Sequence, residues 1–292
     1  MMFADSDSDY ASSKYVIHGV LFDGTSSFRT GSRWAPEAIR KASHNYESYD
    51  FDCDRDLSES LVHDMGDSEY GNLNEMVVDL EKTTSRLVED EKVPITLGGE
   101  HSVTYPCTKA LAREMELVAV IFDAHLDFKA EYLGNEFGHA CVAWNISHLG
   151  VPLIQVGIRS GARDEYKHAL DTSDIYQMEQ VRREGIKEIL KDIESLIKGR
   201  AIYLSIDMDA IDPAFAPGVG NPEPYGLTPL ELRTAIRRLA PYVSGFDLVE
   251  ITPDYDMGMS AILGAKLVRD FLFAHSSGVT TGTIRRLLSE PD

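Results

Sequence analysis

Cysteine is scarce and scattered. Cys53, Cys107 and Cys141 are the only three in 292 residues, and none forms a Cys-x-x-Cys pair. That excludes a thiolate zinc site or a disulfide framework and points to a reducing cytoplasm. Positive charge is also short: 28 Lys and Arg stand against 48 Asp and Glu, a net charge of −20. Nucleic acids and anionic membranes need clustered Lys and Arg, so neither is expected as a partner. No apolar run approaches the ~18 residues that span a bilayer. The acidic start, Met1 to Asp9, lacks the basic-then-apolar order of a secretory signal. No repeat, linker or break in composition divides the chain. Residues 1–292 are therefore expected to form one domain, with 1–13 a flexible polar leader.

What is present is apolar sequence in short blocks. Strands are expected at 15–22, 93–97, 117–122, 153–156, 201–206 and 246–249. Helices are expected at 36–43, 74–92, 103–113, 179–198, 229–239, 260–275 and 280–288, with Thr228 capping and Pro229 opening the fifth. The alternation predicts an α/β fold with a mostly parallel sheet covered on both faces. Ligands of such sheets bind beyond the C-terminal strand ends.

The chemistry collects at those ends. His101 follows 93–97; Asp123, His125 and Asp127 follow 117–122; Asp207 and Asp209 follow 201–206; Glu250 follows 246–249. Strand alternation puts Asp207 and Asp209 on one side. Carboxylates that close repel unless something neutralises them, and a divalent cation does so better than any side chain. Any one motif reads equally well as a solvated loop. The remaining histidines, His18, His44, His63, His148, His168 and His275, lie in no such cluster and are expected to be structural or solvated. Carboxylate oxygen with some imidazole and no thiolate suits Mn²⁺ ahead of Fe²⁺, Co²⁺ or Zn²⁺. Six ligands exceed what one ion with an open position uses, whereas two ions sharing carboxylates use them all. Such a pair lowers the pKa of a bridging water and supplies hydroxide near neutral pH.

Gly98-Gly99-Glu100-His101-Ser102, Asp123-Ala124-His125-Leu126-Asp127 and the stretch Ser205 to Gly218 resemble the three signatures of the ureohydrolase (arginase/agmatinase) family. Gly19 to Asp23, Ser27-Phe28-Arg29 and Ala35 to Arg40 resemble its N-terminal region. The resemblance implies a three-layer α/β/α fold around an eight-stranded sheet, and two Mn²⁺ per subunit. One ion would be held by His101, Asp123, Asp127 and Asp207, the other by His125, Asp123, Asp207 and Asp209. It implies that Asp127 orients the hydroxide, that His139 shuttles protons, and that Glu250 pairs with a substrate guanidinium. It also implies a homo-oligomer, trimer or hexamer. Arg29, Arg33 and Arg159 are expected to anchor loops by pairing with acids.

The segment Pro217 to Thr228 is similar to the agmatinase pattern containing Pro-Glu-Pro, departing from it at Val219, Asn221 and Tyr225. An arginase needs a polar loop for an α-carboxylate. The loop 128–137 instead carries Glu131 and Glu136, which repel a carboxylate and welcome an amine; Lys129 and Asn135 weigh the other way. Agmatine, giving putrescine for polyamine synthesis, is the favoured substrate. Aminopropyl-agmatine comes next, ahead of arginine, guanidinobutyrate and formiminoglutamate. A two-metal phosphatase would want cations beside the metals, where only Lys129 stands. A non-catalytic binding protein would have little reason to keep all six ligands.

Overall fold

The computed structural model describes residues 1–277. The helix expected over 280–288 lies outside the described residues. Eight strands form one sheet: β1 (Tyr15–Leu21), β2 (Val62–Glu69), β3 (Val93–Leu97), β4 (Leu117–Phe122), β5 (Leu153–Ile158), β6 (Ser173–Gln177), β7 (Ala201–Asp207) and β8 (Val243–Val249). Their order is β2-β1-β3-β8-β7-β4-β5-β6, and every pairing is parallel. Because β7 and β8 insert between β3 and β4, the four strands in the middle are β3, β8, β7 and β4. These are the four whose C-terminal ends carry the acids and imidazoles.

Period-two alternation divides each central strand between two cores. Val118, Val120 and Phe122 of β4 face a core shared with α1 (Ala35–Ser43), α7 (Ile186–Ile197), α8 (Pro229–Leu239) and α9 (Met259–Ser276). Leu117, Ala119 and Ile121 face the other core, with α2 (Leu73–Glu89), α3 (Thr104–Glu114) and α4 (Val142–Ser147). This is the three-layer α/β/α arrangement, and burial on both faces explains the unbroken apolar runs. Among the described residues, no helix is long and apolar enough to cross a membrane.

The sequence reading differs from the structure at the sheet's edges. β2 and β6 were not expected as strands. Each is an edge strand, and their polar sequences, Val-His-Asp-Met-Gly-Asp-Ser-Glu and Ser-Asp-Ile-Tyr-Gln, carry few buried residues. Charged edges of this kind discourage pairing with other chains. β6 follows an unanticipated helix, α5 (Arg163–Thr172). The helix expected over 179–198 is two, α6 (Met178–Glu184) and α7, divided at Gly185, whose φ is 83°.

Nor is the leader loose. Phe3 is buried, its N–H donates to Asp64 Oδ2 at 2.7 Å, Ser8 N–H donates to Val62 O at 3.1 Å, and Asp5 pairs with the buried Arg269 at 2.8 Å. One aromatic residue in a polar stretch was enough to dock it. Asp64 is also the hub of a buried ion pair. Arg40, 1% exposed, donates to both Asp64 oxygens from Nε and one terminal nitrogen at 2.7 and 2.8 Å, and reaches Asp67 with the other terminal nitrogen. Asp64→Asn strips charge from one side of a desolvated pair, and equilibrium urea unfolding should record a loss of about 3 kcal/mol or more. A loss below about 1 kcal/mol would mean that Asp67 alone satisfies Arg40.

Candidate metal centre

Each site residue sits just past a strand, in a turn with its own local cause. After β3 the chain runs beside Phe22, where a Cβ on Gly99 would lie 1.8 Å from the Phe22 carbonyl oxygen; only glycine fits. His101 then opens a short 3-10 turn, His101–Val103. β7 ends on Asp207, and Asp209 lies in the 3-10 turn Met208–Ala210, so the turn, not strand alternation, brings these two carboxylates together. Asp207 Oδ1 accepts the Asp209 N–H at 2.7 Å and thereby caps that turn.

Asp127 (φ 49°) and Glu250 (φ 66°) both hold left-handed backbone. That conformation costs on the order of 1 kcal/mol for a residue with a side chain. Glu250 is held in it from both sides: its N–H donates to Gly99 O at 2.8 Å, and its carbonyl accepts from Gly220 N–H at 3.1 Å.

These turns converge on one imidazole nitrogen. His101 Nδ1 lies 3.3 Å from Asp123 Oδ2, 3.0 Å from Asp127 Oδ2 and 3.1 Å from Asp207 Oδ2. A single N–H cannot satisfy three carboxylates. Behind the ring, His101 Nε2 lies 3.2 Å from Ser205 Oγ, which donates to the buried Asp247 at 2.6 Å. That contact assigns Nε2 the proton and leaves Nδ1 free to act as a ligand. The other carboxylate oxygen of Asp123 faces His125 Nδ1 at 3.5 Å, and Asp209 Oδ2 lies 3.6 Å from that same nitrogen. Asp123 thus turns one oxygen toward each histidine. Asp207 turns only Oδ2 inward, its Oδ1 being taken by the Asp209 N–H.

The donor set fits a cation. Asp123 Oδ2 and Asp209 Oδ1 are buried and make no hydrogen bond, the situation buried polar atoms avoid unless an ion or water answers them. One ligand atom each from His101, Asp123 and Asp127 lies within 4.8 Å of the others. The protonation equilibria report the same excess of negative charge. Burial and the Asp123 charge push Asp207 up to about 7, and burial with the Asp207 charge raises Asp209 far above the carboxylate range. Burial opposes protonation of His125, yet Asp123 and Asp209 raise it to about 10; three carboxylates likewise raise His101 well above its ordinary value. Asp123 also resists burial and stays low because both histidines pair with it. Cations bind such a site in competition with protons.

Glu250 and His139 complete the group. Glu250 Oε1 accepts the His101 N–H at 2.7 Å; burial, then Asp207 and Asp209, raise its pKa strongly. A cavity of about 580 Å³ is lined by His125, Asp127, His139, Asp207, Asp209 and Glu250, together with Ser27, Lys129, Tyr132, Glu165 and Glu223. His101 and Asp123 do not line it and are buried, with 1% of each side chain exposed, whereas His125 does line it, with 23% exposed. All eight residues singled out from the sequence thus come together.

The acids expected to read the substrate's tail do not. Glu131 and Glu136 line a separate surface cavity with Asn72 and Phe137. The cause is a tight turn, Tyr132 to Asn135, with Leu133 and Gly134 both at positive φ, which carries the loop away from the metal centre. Glu165 and Glu223 take their place in the cavity wall. Lys129 lines it too, but is paired with Glu165 at 2.6 Å. Of the expected arginine anchors, Arg33 does pair with acids, Glu69 at 3.1 Å and Asp23 at 3.9 Å. Arg29 donates instead to Pro217 O and lies over the Tyr255 ring. Arg159 donates six hydrogen bonds, all to main-chain carbonyls of Gly157, Asp209, Ala210, Glu223 and Pro224.

Comparison with known proteins agrees with this geometry. The sequence model of the arginase family matches residues 13–274. An agmatinase from Halalkalibacterium halodurans is 38% identical over 280 residues, covering 93% of this chain and 95% of its own. An N(1)-aminopropylagmatine ureohydrolase from Thermococcus kodakarensis is 36% identical over 266 residues, covering 87% and 88%. The crystal structure of the agmatine ureohydrolase of Thermoplasma volcanium superimposes with a TM-score of 0.90 at 39% identity, covering 94% of each chain. With its fold, its strand-end acids and these relatives in agreement, the chain belongs to the arginase family, as an agmatinase-like ureohydrolase that hydrolyses amidino groups.

Proposed function

We propose that this chain is a binuclear manganese agmatinase, hydrolysing agmatine to putrescine and urea. The convergence of three carboxylates on His101 Nδ1 carries this reading. His101, Asp123, Asp127 and Asp207 would hold one ion, and His125, Asp123, Asp207 and Asp209 the other. Bound there, two divalent cations lower the pKa of a shared water and supply a nucleophile near neutral pH.

The protein's own groups do the rest. A guanidinium is a planar, resonance-stabilised cation and a poor electrophile, so its placement matters. Glu250, buried at the cavity floor with one oxygen fixed by His101 N–H, offers the other to the substrate's N–H groups in a charge-assisted bond. Asp127 accepts a hydrogen bond from the attacking water and fixes its direction. Breaking the C–N bond to the aminobutyl nitrogen requires a proton on that nitrogen, which His139 delivers. Glu223 in the cavity wall favours a cationic tail and disfavours a carboxylate, whereas Glu165 is already paired with Lys129. The same wall also suits a longer, more cationic tail, so aminopropyl-agmatine is the second reading. A homo-oligomer in the cytoplasm belongs to the same proposal.

Urea release by the manganese-loaded protein, compared across agmatine, aminopropyl-agmatine, arginine and guanidinobutyrate, tests the substrate. Agmatine is expected to lead, and silence on all four with manganese bound would remove the proposal. Glu223→Gln should raise the KM for agmatine about fivefold, the value of about 1 kcal/mol for a partly solvated charge pair, while Glu131→Gln leaves it unchanged; the reverse would return tail recognition to the loop at 128–137. Asp123→Asn should lose manganese, read by metal analysis after dialysis, and two retained equivalents would refute its bridging position. Glu250→Gln should keep manganese and lose at least 100-fold in kcat/KM, roughly the 3 kcal/mol of a buried charge-assisted contact; near-native turnover would rule out the clamp.

A further inference from the structure

Behind His139 lies a buried polar chain that the mechanism above does not use. Thr25, in the loop after β1, places its Oγ1 2.5 Å from Glu100 Oε1 and 3.0 Å from His139 Nδ1, and accepts the His139 main-chain N–H at 3.0 Å. Glu100 is 0% exposed and accepts two more bonds, from Ser102 Oγ at 2.7 Å on the same oxygen and from Thr25 N–H at 2.7 Å on the other. On the far side of the ring, His139 Nε2 lies 3.2 Å from Ser27 Oγ, and both residues line the cavity. The approach is close enough that a Cβ on Gly138 would lie 3.1 Å from Thr25 Oγ1.

We infer that Glu100 and Thr25 are positioning residues that hold the neutral His139 ring with its proton on Nδ1 and its lone pair, on Nε2, facing the cavity. The argument is a count of hydrogens. A threonine hydroxyl has one. Glu100 is an acceptor for three donors, so it takes that hydrogen along the shortest of the contacts. Thr25 Oγ1 then meets His139 with lone pairs alone, and Nδ1 must supply the N–H between them. The ring nitrogen left bare is Nε2. A carboxylate that orients an imidazole through an intervening hydroxyl serves the same end as one that touches the ring.

The consequence for the reaction, which rests on the proposed role of His139, is that the proton arrives and leaves at one atom. Nε2 takes a proton released from the attacking water, and the imidazolium returns it from Nε2 to the leaving amine nitrogen. Nδ1–H stays in place throughout.

Thr25→Val, Thr25→Ser, Glu100→Gln and His139→Gln, each loaded with manganese, test this. Thr25→Val should lower kcat about tenfold or more while KM for agmatine stays within about twofold, and Thr25→Ser should restore it, since proton transfer of this kind contributes 100-fold or more. Glu100→Gln should behave like Thr25→Val, and Thr25→Val added to His139→Gln should cost nothing further. A loss in Thr25→Val that appears in KM or in thermal stability alone, or that serine does not restore, overturns the inference. Neutron diffraction from a crystal of the loaded wild-type protein reads the tautomer without reference to turnover. A deuteron on Nδ1 and none on Nε2 is expected, and the opposite assignment overturns the inference. Full activity in His139→Gln would instead remove the proton-carrying role, leaving the tautomer to be decided by the neutron density.

Discussion

Mutual repulsion among carboxylates is the constraint on which this molecule's design turns. Asp123, Asp127, Asp207, Asp209 and Glu250 meet at the ends of three adjacent central strands, with His101 from a fourth and His125 among them. Bringing them together costs free energy, visible in the raised proton affinity of Asp207 and His125. A scaffold must be stiff to hold such a group together. The all-parallel sheet, packed by a core on each face, provides that stiffness, because no central strand can yield without disturbing both cores. The excess charge gathered there can be answered by protons or by cations, which compete for the same groups.

Buried carboxylates behind the site orient two of its imidazoles. Asp247 gathers Tyr203, Thr104 and Ser205, and through Ser205 fixes which nitrogen of His101 faces the centre. Glu100 does the corresponding work on His139 through Thr25. Two fully buried carboxylates thus stand one residue or one hydroxyl away from the reacting groups without entering the cavity. Buried, hydrogen-bonded acids of this sort tolerate little change, since losing one partner strands the other.

The sequence made the centre of the fold readable and its margins obscure, for physical reasons. Strands such as 117–122 are unbroken apolar runs because both faces are covered. β2 and β6 lie at the edges, where the same backbone needs almost no apolar side chains, so nothing marked them. The ligands were legible because strand ends are short and their acids fall within a few residues of one another. Thr25 and Glu100, by contrast, meet across 75 residues, and no local pattern announces such a pair. Glu131 and Glu136 were assigned to the wrong cavity because spacing along a loop does not reveal which way a turn at Leu133 and Gly134 sends it. Phe3 was overlooked because composition averages away a single anchoring ring.

Arg159 separates two properties that usually change together. Its guanidinium ties the strand-end turns at Gly157 and at Asp209 to the segment at Glu223, and it does so through main-chain oxygens alone. This part of the cavity wall is therefore tied down through main-chain atoms, although the Glu223 carboxylate also acts on the guanidinium by its charge. Replacing the side chain at position 223 leaves those main-chain hydrogen bonds in place. A cavity built this way can exchange one guanidine-bearing substrate for another by point substitution, while the metal centre behind it keeps its geometry.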